Sequence, residues 1–547
     1  MMRKIYTLLL LLSSVHLFGQ VAEDGKNGIK RPKIVVGIVV DQMRWDYLYR
    51  YYDRFSSGGF KRLLNKGFSC EQAYINYLPS TTAVGHSSIF TGSVPAIHGI
   101  TGNGWPDQAT GKDMYCTADS TVHGIGTTGS AGKMSPRNLL ATTITDELRM
   151  ATNFRSKVVG ISLKDRASIL PAGHNANAAF WADEQTGQFI SSSWYMDDLP
   201  QWVKDYNAAG FRNQLMQQGW NTLYPIATYM QSTADDVVWE GVFRKEPKPV
   251  FPHDINTFAK DNASLIRTTP FGNTLTLDFA KAAIKGYGLG ESGFTDFLTI
   301  NCASTDYVGH QYGPNSIEIE DTFLRLDRDL ASFFTFLDEK MGKDNYLIFL
   351  TADHGGSHSV DYLETNKMPG DLVNSKANLA QVNAELAKFY NLPNLVLSMS
   401  NYHVTFNQIL IEKQKLDFEL IKKRSAQFLR TRPGIQFVVD VNELGTIAVP
   451  EKLKDMIANG YNAKRSGPLV IIPEPGWFDG SNKGTTHGNW NADDTHIPLL
   501  FYGWGLKPGA LKRSVSMTDI APTIAALLHI QVPSGTVGKA IEEVGVK

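Results

Sequence analysis

Short, nearly continuous apolar runs rich in β-branched residues recur along the chain and constrain its fold more than any other feature. The first, residues 33–40, reads Lys-Ile-Val-Val-Gly-Ile-Val-Val. Comparable runs occupy residues 157–163, 297–301, 346–351, 469–473 and 498–502. A strand that is buried on both faces has this composition, which indicates a parallel sheet covered by helices.

Helical patterns separate several of these runs. In residues 317–341 the apolar side chains recur near helical spacing. Alternating strands and helices predict a doubly wound α/β fold, with a mostly parallel central sheet and helices on both faces. Functional groups in such sheets collect beyond the carboxyl ends of the strands. Four of the runs end at or near polar residues of that kind: Asp41, Lys164, Asp306 and the pair Asp353-His354.

The chain reads as a targeting segment followed by one large domain. Residues 1–20 have the basic, apolar and small-residue order of a secretory signal, which predicts an exported, periplasmic or secreted protein. Residues 21–547 are expected to form a single domain without a membrane span. Segments around residues 181–290 and 364–464 have fewer β-branched runs, and we expect them to be insertions that form a cap.

Charge and cysteine content exclude several protein classes. The 53 basic and 54 acidic residues give a net charge of −1 without long runs of one sign, so no nucleic-acid partner is expected. No coiled-coil seam is present, which favours a monomer. Three cysteines, Cys70, Cys116 and Cys302, permit at most one intramolecular disulfide, so the chain is not a disulfide scaffold.

Residues 79–103 are interpreted as a nucleophile presented at the start of a short helix. Thr82 is the candidate nucleophile, and Gly92 can end the helix. Backbone N–H groups at a helix start favour an anion such as phosphate or sulfate. The competing interpretation makes the Ser/Thr cluster an ordinary N-cap. Two histidines of this stretch, His86 and His98, are expected to support the loop.

Oxygen and imidazole ligands are dispersed along the rest of the chain. Carboxylates, imidazoles and a hydroxyl suit zinc, and the set is large enough for two ions. Its members are Asp41, Thr82, Asp306, His310, Asp353, His354 and His487. Glycines beside them, as in Gly355-Gly356, let backbone come close to a site.

These motifs resemble the alkaline phosphatase superfamily over most of the chain. The matching segments are Val40-Asp41, Thr82 with Thr91-Gly92, His98-Gly99-Ile100, Asn103, Asp306-x-x-x-His310, Thr351-Ala352-Asp353-His354-Gly355 and Thr486-His487-Gly488. Thr82 with Asn103 is similar to both nucleotide pyrophosphatase/phosphodiesterases and phosphate-irrepressible alkaline phosphatases of the PafA type. The pair Lys164 and Arg166 resembles the monoesterase pattern.

The resemblance implies an alkaline phosphatase that acts on small-molecule phosphate monoesters through a phosphothreonine on Thr82. It implies two Zn²⁺ ions, the first bound by Asp306, His310 and His487. The implied ligands of the second are Asp41, Asp353 and His354, joined by Thr82. The implied donors to the phosphoryl oxygens are Asn103, Lys164 and Arg166.

Four alternatives stay open at this point. A phosphodiesterase would keep Thr82 and the ligands but lack the pair Lys164 and Arg166. A sulfatase needs a Cys/Ser-x-Pro-x-Arg sequence, which residues 80–84 do not supply. A cofactor-independent mutase would use similar ligands, although export argues against a glycolytic role. An exported carbohydrate-binding or surface protein would use the aromatic insertion instead.

Overall fold

A large mixed β-sheet organises the chain. The computed structural model describes residues 30–108, 110–243, 246–260 and 262–545, and the predicted signal at residues 1–20 lies outside them. The strands in these ranges are β1 Ile34–Val40, β2 Phe68–Tyr74, β3 Gly104–Pro106, β4 Asp113–Tyr115, β5 Gly124–Ile125, β6 Val158–Ile161, β7 Ala178–Ala182, β8 Phe189–Ser192, β9 Asp296–Cys302, β10 Tyr346–Thr351, β11 Val396–Ser398, β12 His403–Phe406, β13 Ile435–Asp440, β14 Leu469–Pro473, β15 His496–Ile497, β16 Leu499–Gly503 and β17 Gly509–Ser516.

The centre of this sheet is the predicted parallel core. Within the described residues the sheet has 11 strands in the order β15-β2-β16-β10-β1-β9-β6-β7-β8-β5, and β17 pairs with β2. Neighbours from β10 to β7 run parallel. Every residue of β1, β6, β9 and β10 is buried, which explains their apolar sequences. The α/β prediction is confirmed.

Two of the six predicted strands lie outside the parallel core. The run at residues 498–502 becomes β16, which pairs antiparallel with β10 and makes the sheet mixed. The run at residues 469–473 becomes β14, which belongs to a separate four-stranded antiparallel sheet of order β11-β12-β14-β13. Both strands are largely buried, and burial makes a strand apolar whichever way its neighbours run.

Helices pack on the strands of both sheets. The helix predicted at residues 317–341 is confirmed. Ser316 caps it by accepting a hydrogen bond from the Ile319 N–H. The α-helices of the described ranges are α1 Tyr47–Arg50, α2 Phe60–Lys66, α3 Thr82–Thr91, α4 Pro95–His98, α5 Ile144–Ala151, α6 Asp165–Ala172, α7 Gln201–Ala208, α8 Phe211–Gln217, α9 Ile255–Ala259, α10 Phe271–Tyr287, α11 Ser304–Tyr312, α12 Ile317–Met341, α13 Val360–Thr365, α14 Ser375–Tyr390, α15 Gln408–Lys413, α16 Phe418–Leu429, α17 Glu451–Gly460, α18 Ala492–Thr495 and α19 Ile520–Leu528.

The two segments predicted as insertions pack differently. Residues 364–464 supply α14, α16 and most of the small sheet, which share a hydrophobic cluster of their own. Residues 181–290 instead contribute to the main core, for example through Trp220 and Phe279. Among the described residues, every helix is too short or too polar to span a bilayer.

All three cysteines are buried and unpaired. Burial raises the pKa of the Cys70 and Cys116 thiols to about 12 and raises that of Cys302 further still. A thiol that stays protonated is a poor nucleophile and a poor metal ligand. The cysteines are therefore core residues.

Candidate active site

Thr82 stands at the first position of α3, at the edge of the parallel core. The preceding residue, Thr81, has the extended backbone of an N-cap, and no side-chain capping bond forms there. The helix ends at Gly92, whose φ of 63° lies in the left-handed region that favours glycine. Thr82 is only 1% exposed. The hydroxyl of Thr82 is therefore not used to cap the helix and is available to the site.

The carboxyl ends of three parallel strands bring the acidic residues to this place. Asp41 follows β1, and Asp353-His354 follows β10 after one residue. β9 leads into α11, which carries Asp306 in its first turn and His310 in its last. These strands are neighbours in the order β10-β1-β9, so their carboxyl ends meet at one edge. The side chains predicted from separate segments are thus brought together.

Three histidines turn the same ring nitrogen into the site. Each donates its Nδ1–H to a backbone carbonyl: His310 to Thr485 at 2.8 Å, His354 to Gly355 at 2.9 Å and His487 to Ser80 at 2.7 Å. The Nδ1 bond fixes the tautomer and leaves a lone pair on Nε2. The rings of His354 and His487 stack with centroids 3.5 Å apart. All three residues are therefore prepared as metal ligands.

Two compact groups of possible ligand atoms result. Asp306, His310 and His487, the first predicted group, offer atoms that all lie within 4.8 Å of one another. The Oδ1 of Asp306 is 3.1 Å from His310 Nε2 and 3.7 Å from His487 Nε2. The second compact group contains Asp41, Asp306 and His354. Asp306 thus lies between the two groups.

Two further groups converge on His354 Nε2. The Oδ2 of Asp353 lies 3.3 Å from this nitrogen, and the Thr82 hydroxyl oxygen lies 3.5 Å from it. Asp41 Oδ1 is 3.7 Å away. The Nε2 of His354 is therefore surrounded by the other members of the second predicted group, Asp41, Asp353 and Thr82.

Buried oxygens without partners show that this place fits a cation. Asp41 Oδ1 and Asp353 Oδ2 are buried and accept no hydrogen bond from any described residue. Burial, reinforced by the Asp41 carboxylate, raises the pKa of Asp353 well above its usual range. An uncompensated buried carboxylate is costly, and a metal ion removes that cost. The donor set, carboxylate oxygen and imidazole nitrogen, is the one that zinc takes.

Two of the three imidazoles are in the neutral state that a metal needs. Burial lowers the pKa of His354 to about 4 and, helped by the neighbouring His354 ring, lowers that of His487 well below its usual range. Both rings are neutral at pH 7 and keep their lone pairs. Burial would also lower the pKa of His310, but the Asp306 carboxylate outweighs it and raises that pKa.

Lys164 bridges the two ligand groups in this structure. Its buried ammonium donates to Asp41 Oδ2 at 2.9 Å and to Asp306 Oδ2 at 2.6 Å. The sequence predicts instead a donor to phosphoryl oxygens. An ammonium has three N–H donors, so one remains after these two bonds.

Arg166 and Asn103 are the other two predicted donors. Arg166 Nη1 donates to the Tyr115 hydroxyl at 3.2 Å, and its buried Nε has no partner among the described residues. Asn103 Oδ1 accepts a hydrogen bond from the Ala83 N–H at 2.9 Å. The amide nitrogen of Asn103 therefore points away from α3 and can donate to another group. Lys164 and Arg166 line a cleft of about 560 Å³. Two of the three predicted donors, Lys164 and Arg166, therefore adjoin a space that can hold an organic group.

Gln42 is a site residue that the sequence does not reveal. Its backbone N–H donates to Asp353 Oδ1 at 3.2 Å, and its side-chain amide donates to Asp306 Oδ1 at 2.9 Å. Its φ of 58° is unusual for a residue with a side chain. A Cβ on Gly309 would lie only 2.0 Å from Gln42 Oε1, so that glycine makes room for it. The glycine inside Asp306-x-x-x-His310 was the one available signal.

His86 and His98 form hydrogen bonds to residues of α3. His86 donates its Nδ1–H to the Thr82 carbonyl at 2.8 Å. His98 accepts from the Ile100 N–H at 3.1 Å and pairs with the Ser88 hydroxyl at 3.0 Å. Both rings are fully buried, and burial lowers the pKa of each, to about 4 for His86 and about 3 for His98.

The arrangement can transfer an anionic group. A buried hydroxyl at a helix start lies beside carboxylate and imidazole groups, and the Lys164 ammonium donates to two of the carboxylates. Thr82 would act as nucleophile, and the donors would hold the anion's oxygens. Neutral imidazoles and ionisable carboxylates supply the ligands.

Comparisons with known proteins agree with this geometry. Residues 35–496 match the family described as type I phosphodiesterase / nucleotide pyrophosphatase. Alkaline phosphatase PafA of Elizabethkingia meningoseptica is 52% identical over 98% of both chains. Alkaline phosphatase PhoV of Synechococcus elongatus is also 52% identical, over 94% of this chain and 93% of its own. A crystal structure of wild-type alkaline phosphatase PafA, 53% identical, matches with a TM-score of 0.93 and covers 95% of this chain and 100% of its own.

Proposed function

Because this chain belongs to the type I phosphodiesterase / nucleotide pyrophosphatase family and is an alkaline phosphatase of the PafA and PhoV kind, we propose that it hydrolyses phosphate monoesters through a phosphothreonine on Thr82. Two Zn²⁺ ions are the proposed cofactors. The observation that carries the proposal is the convergence of the Thr82 hydroxyl and Asp353 on the Nε2 of His354, within 3.5 Å.

Two groups of residues would hold the metal ions. The first is Asp306, His310 and His487, and the second is Asp41, Asp353, His354 and the hydroxyl of Thr82. The partnerless oxygens of Asp41 and Asp353 support this assignment. Zinc bound at these residues supplies positive charge that makes a hydroxyl more acidic and stabilises attacking and leaving oxygens.

Thr82 forms and loses the covalent bond to phosphorus. Its Oγ attacks the phosphorus of the ester, the bond from phosphorus to the leaving oxygen breaks, and the departing alcohol takes a proton. Water then attacks the same phosphorus, which releases phosphate and restores the Thr82 hydroxyl. The N-terminus of α3 favours the anionic phosphoryl group throughout.

Three donors hold the nonbridging oxygens. Asn103 is oriented by the Ala83 N–H, and Lys164 keeps one N–H after its two carboxylate bonds. Arg166 lies beside them at the start of α6. A dianionic monoester presents more charge to these groups than a diester does, so we expect monoesters to be preferred.

A phosphodiesterase is the second candidate. The observation in its favour is the family match itself, which covers residues 35–496. The two cations at the start of α6 favour the monoesterase instead. We also propose that the protein is exported, periplasmic or secreted, and monomeric. The basic and apolar order of residues 1–20 supports export.

The nucleophile is tested by replacing Thr82 and its neighbour. Thr82→Ala should abolish acid-stable phosphate incorporation and leave bound metal in place, while Thr82→Ser should keep substantial activity because a hydroxyl remains. Thr81→Ala is the matched control, since Thr81 precedes the helix and should keep the phosphoenzyme. Incorporation of phosphate into Thr82→Ala at another residue would overturn the assignment.

A further inference from the structure

A second group of buried acids lies outside the active site, where residues 235–243 and 246–253 meet the helices α11 and α12. We call it the acidic cluster, and it contains Glu240, Glu246, His253, Tyr312 and Glu318. Glu240 is 2% exposed and Glu318 is fully buried, although isolated carboxylates are rarely found inside proteins. None of these residues takes part in the proposed chemistry.

His253 supplies positive charge to part of the cluster. Its Nδ1 lies 2.7 Å from Glu246 Oε1, and its Nε2 lies 3.1 Å from Glu318 Oε1. Burial alone would lower the pKa of His253, but the two carboxylates outweigh it and raise that pKa to about 9. One imidazolium therefore contacts two glutamates, and Glu240 adds a third buried carboxyl group to the cluster.

Four polar atoms of the cluster lack partners. Both carboxylate oxygens of Glu240, the Oε2 of Glu318 and the hydroxyl of Tyr312 are buried and form no hydrogen bond with any described residue. The segment is fixed close to α11, because the Gly241 N–H donates to the Gln311 carbonyl at 2.7 Å. Buried polar groups in native proteins are nearly always satisfied, so these atoms point to a missing ligand.

A proton does not satisfy Glu240. Burial, followed by the charge of Glu318, raises the pKa of Glu240 to about 11. A protonated carboxyl still carries an O–H donor and a carbonyl acceptor, and neither oxygen has a partner. The nearby Lys483 ammonium donates to the Val238 carbonyl instead.

We propose that Glu240, Glu318 and the Tyr312 hydroxyl bind a divalent cation of the calcium type. The atoms without partners are all oxygens, which suit calcium or magnesium rather than zinc. His253 cannot be a ligand, because both of its nitrogens are used by carboxylates. Calcium accepts a mixed set of carboxylate, hydroxyl and water oxygens, whereas magnesium demands a regular octahedron.

The proposed cation would brace the active-site helix. Tyr312 ends α11, which carries Asp306 in its first turn and His310 in its last. The same segment is held from the other side, since the Gly484 N–H donates to the Trp239 carbonyl at 2.6 Å. A bound cation would join Glu240 to this helix and to α12. We expect it to stabilise the fold without entering the reaction.

Calcium binding is tested on the full chain with its zinc sites saturated. The protein is equilibrated with calcium chloride in excess zinc, desalted and analysed for both metals. We expect about one calcium per chain in the wild type, none in Glu240→Gln and an unchanged zinc content in both. Calcium should also raise the Tm of the wild type and not that of the variant. Glu364→Gln, which changes an exposed glutamate, is the matched control and should bind calcium normally.

Several results would overturn the proposal. These are absence of calcium from the wild type, retention of calcium by Glu240→Gln, or displacement of calcium by an equal concentration of magnesium. Glu318→Gln repeats the test at a second ligand if Glu240→Gln does not fold. Loss of calcium together with zinc would mean that the ion occupies the active site instead.

Discussion

Two buried histidines, His354 in the active site and His253 in the acidic cluster, have opposite charge states for a reason that is visible in their partners. His354 donates Nδ1–H to a carbonyl and keeps a lone pair on Nε2, and burial lowers its pKa to about 4. His253 meets a carboxylate at each nitrogen, and its pKa rises to about 9. We propose the first as a ligand for a cation, and the second is itself a cation.

The difference teaches that burial alone does not decide what a histidine does. Both rings are almost completely buried. A neutral carbonyl partner leaves a lone pair on Nε2 of His354, whereas carboxylate partners occupy both nitrogens of His253. Carboxylate oxygens without hydrogen-bond partners are also present in both regions. In the active site, Asp353 Oδ2 lies 3.3 Å from His354 Nε2, and in the acidic cluster the partnerless carboxylate oxygens belong to Glu240 and Glu318.

The largest expected effect comes from replacing His487, a proposed metal ligand, and His253→Gln is the variant to compare with it. His487→Ala should lose the metal held with Asp306 and His310, and kcat/KM should fall by about three orders of magnitude or more, roughly 4 kcal/mol. His253→Gln should keep both zinc ions and most of the rate. Metal analysis and steady-state kinetics on a phosphate monoester measure both. Equal zinc loss in the two variants would break the comparison.

Arg166→Ala should have the next largest effect, and it separates monoesters from diesters. One charge-assisted contact contributes about 1.5 to 3 kcal/mol, so kcat/KM for a monoester should fall about ten- to a hundredfold. The fall for a diester should be much smaller. Lys164→Ala is a less clean test, because it also removes bonds to Asp41 and Asp306. Equal losses on both substrates would make Arg166 structural, and a wild type that preferred diesters would favour the phosphodiesterase.

Gln42→Ala should weaken metal binding by about ten- to a hundredfold, the usual effect of removing a group that orients a ligand. The variant loses the amide bond to Asp306 and keeps the backbone bond to Asp353. Zinc affinity measured by competition with a chelator gives the answer. Gln217→Ala, at an exposed position of α8, is the control. Unchanged affinity would mean that Gln42 only fills space.

His253 should make stability depend on alkaline pH, and the expected change in Tm is small. Its folded pKa of about 9 lies above the ordinary 6.5, so its contribution is complete below about pH 6.5 and is lost as the pH rises through 9. The groups facing it are Glu246, Glu318, Glu240 and Tyr312. The difference of about 3 kcal/mol corresponds to only about 3 °C in Tm for a chain of this length. Calcium-free, zinc-saturated wild type should show this fall, and His253→Gln should not.

Much of the fold and of the active site could be predicted because the signals are local. A strand buried on both faces is apolar over its whole length, and β1, β9 and β10 were recognisable for that reason. Asp306 and His310 are four residues apart on one helix, so a spacing in the sequence becomes one face of α11.

The remaining features depend on contacts between distant segments. The direction of β16 and the separate sheet of β14 are set by their partners, which an apolar run does not specify. Gln42 reaches Asp306 across 264 positions, and His253 reaches Glu318 across 65. Neither residue type suggests such a contact on its own. The ammonium of Lys164 on two carboxylates is likewise a tertiary arrangement.

The three buried thiols determine which redox conditions are compatible with the native fold. Cys70, Cys116 and Cys302 form no disulfide, and their raised pKa values keep them protonated and unreactive. Covalent cross-links therefore contribute nothing to the finished fold. Folding does not have to wait for an oxidant, and a thiol reductant has no bond to cleave. The same native molecule can form in a reducing cytosol and in an oxidising medium.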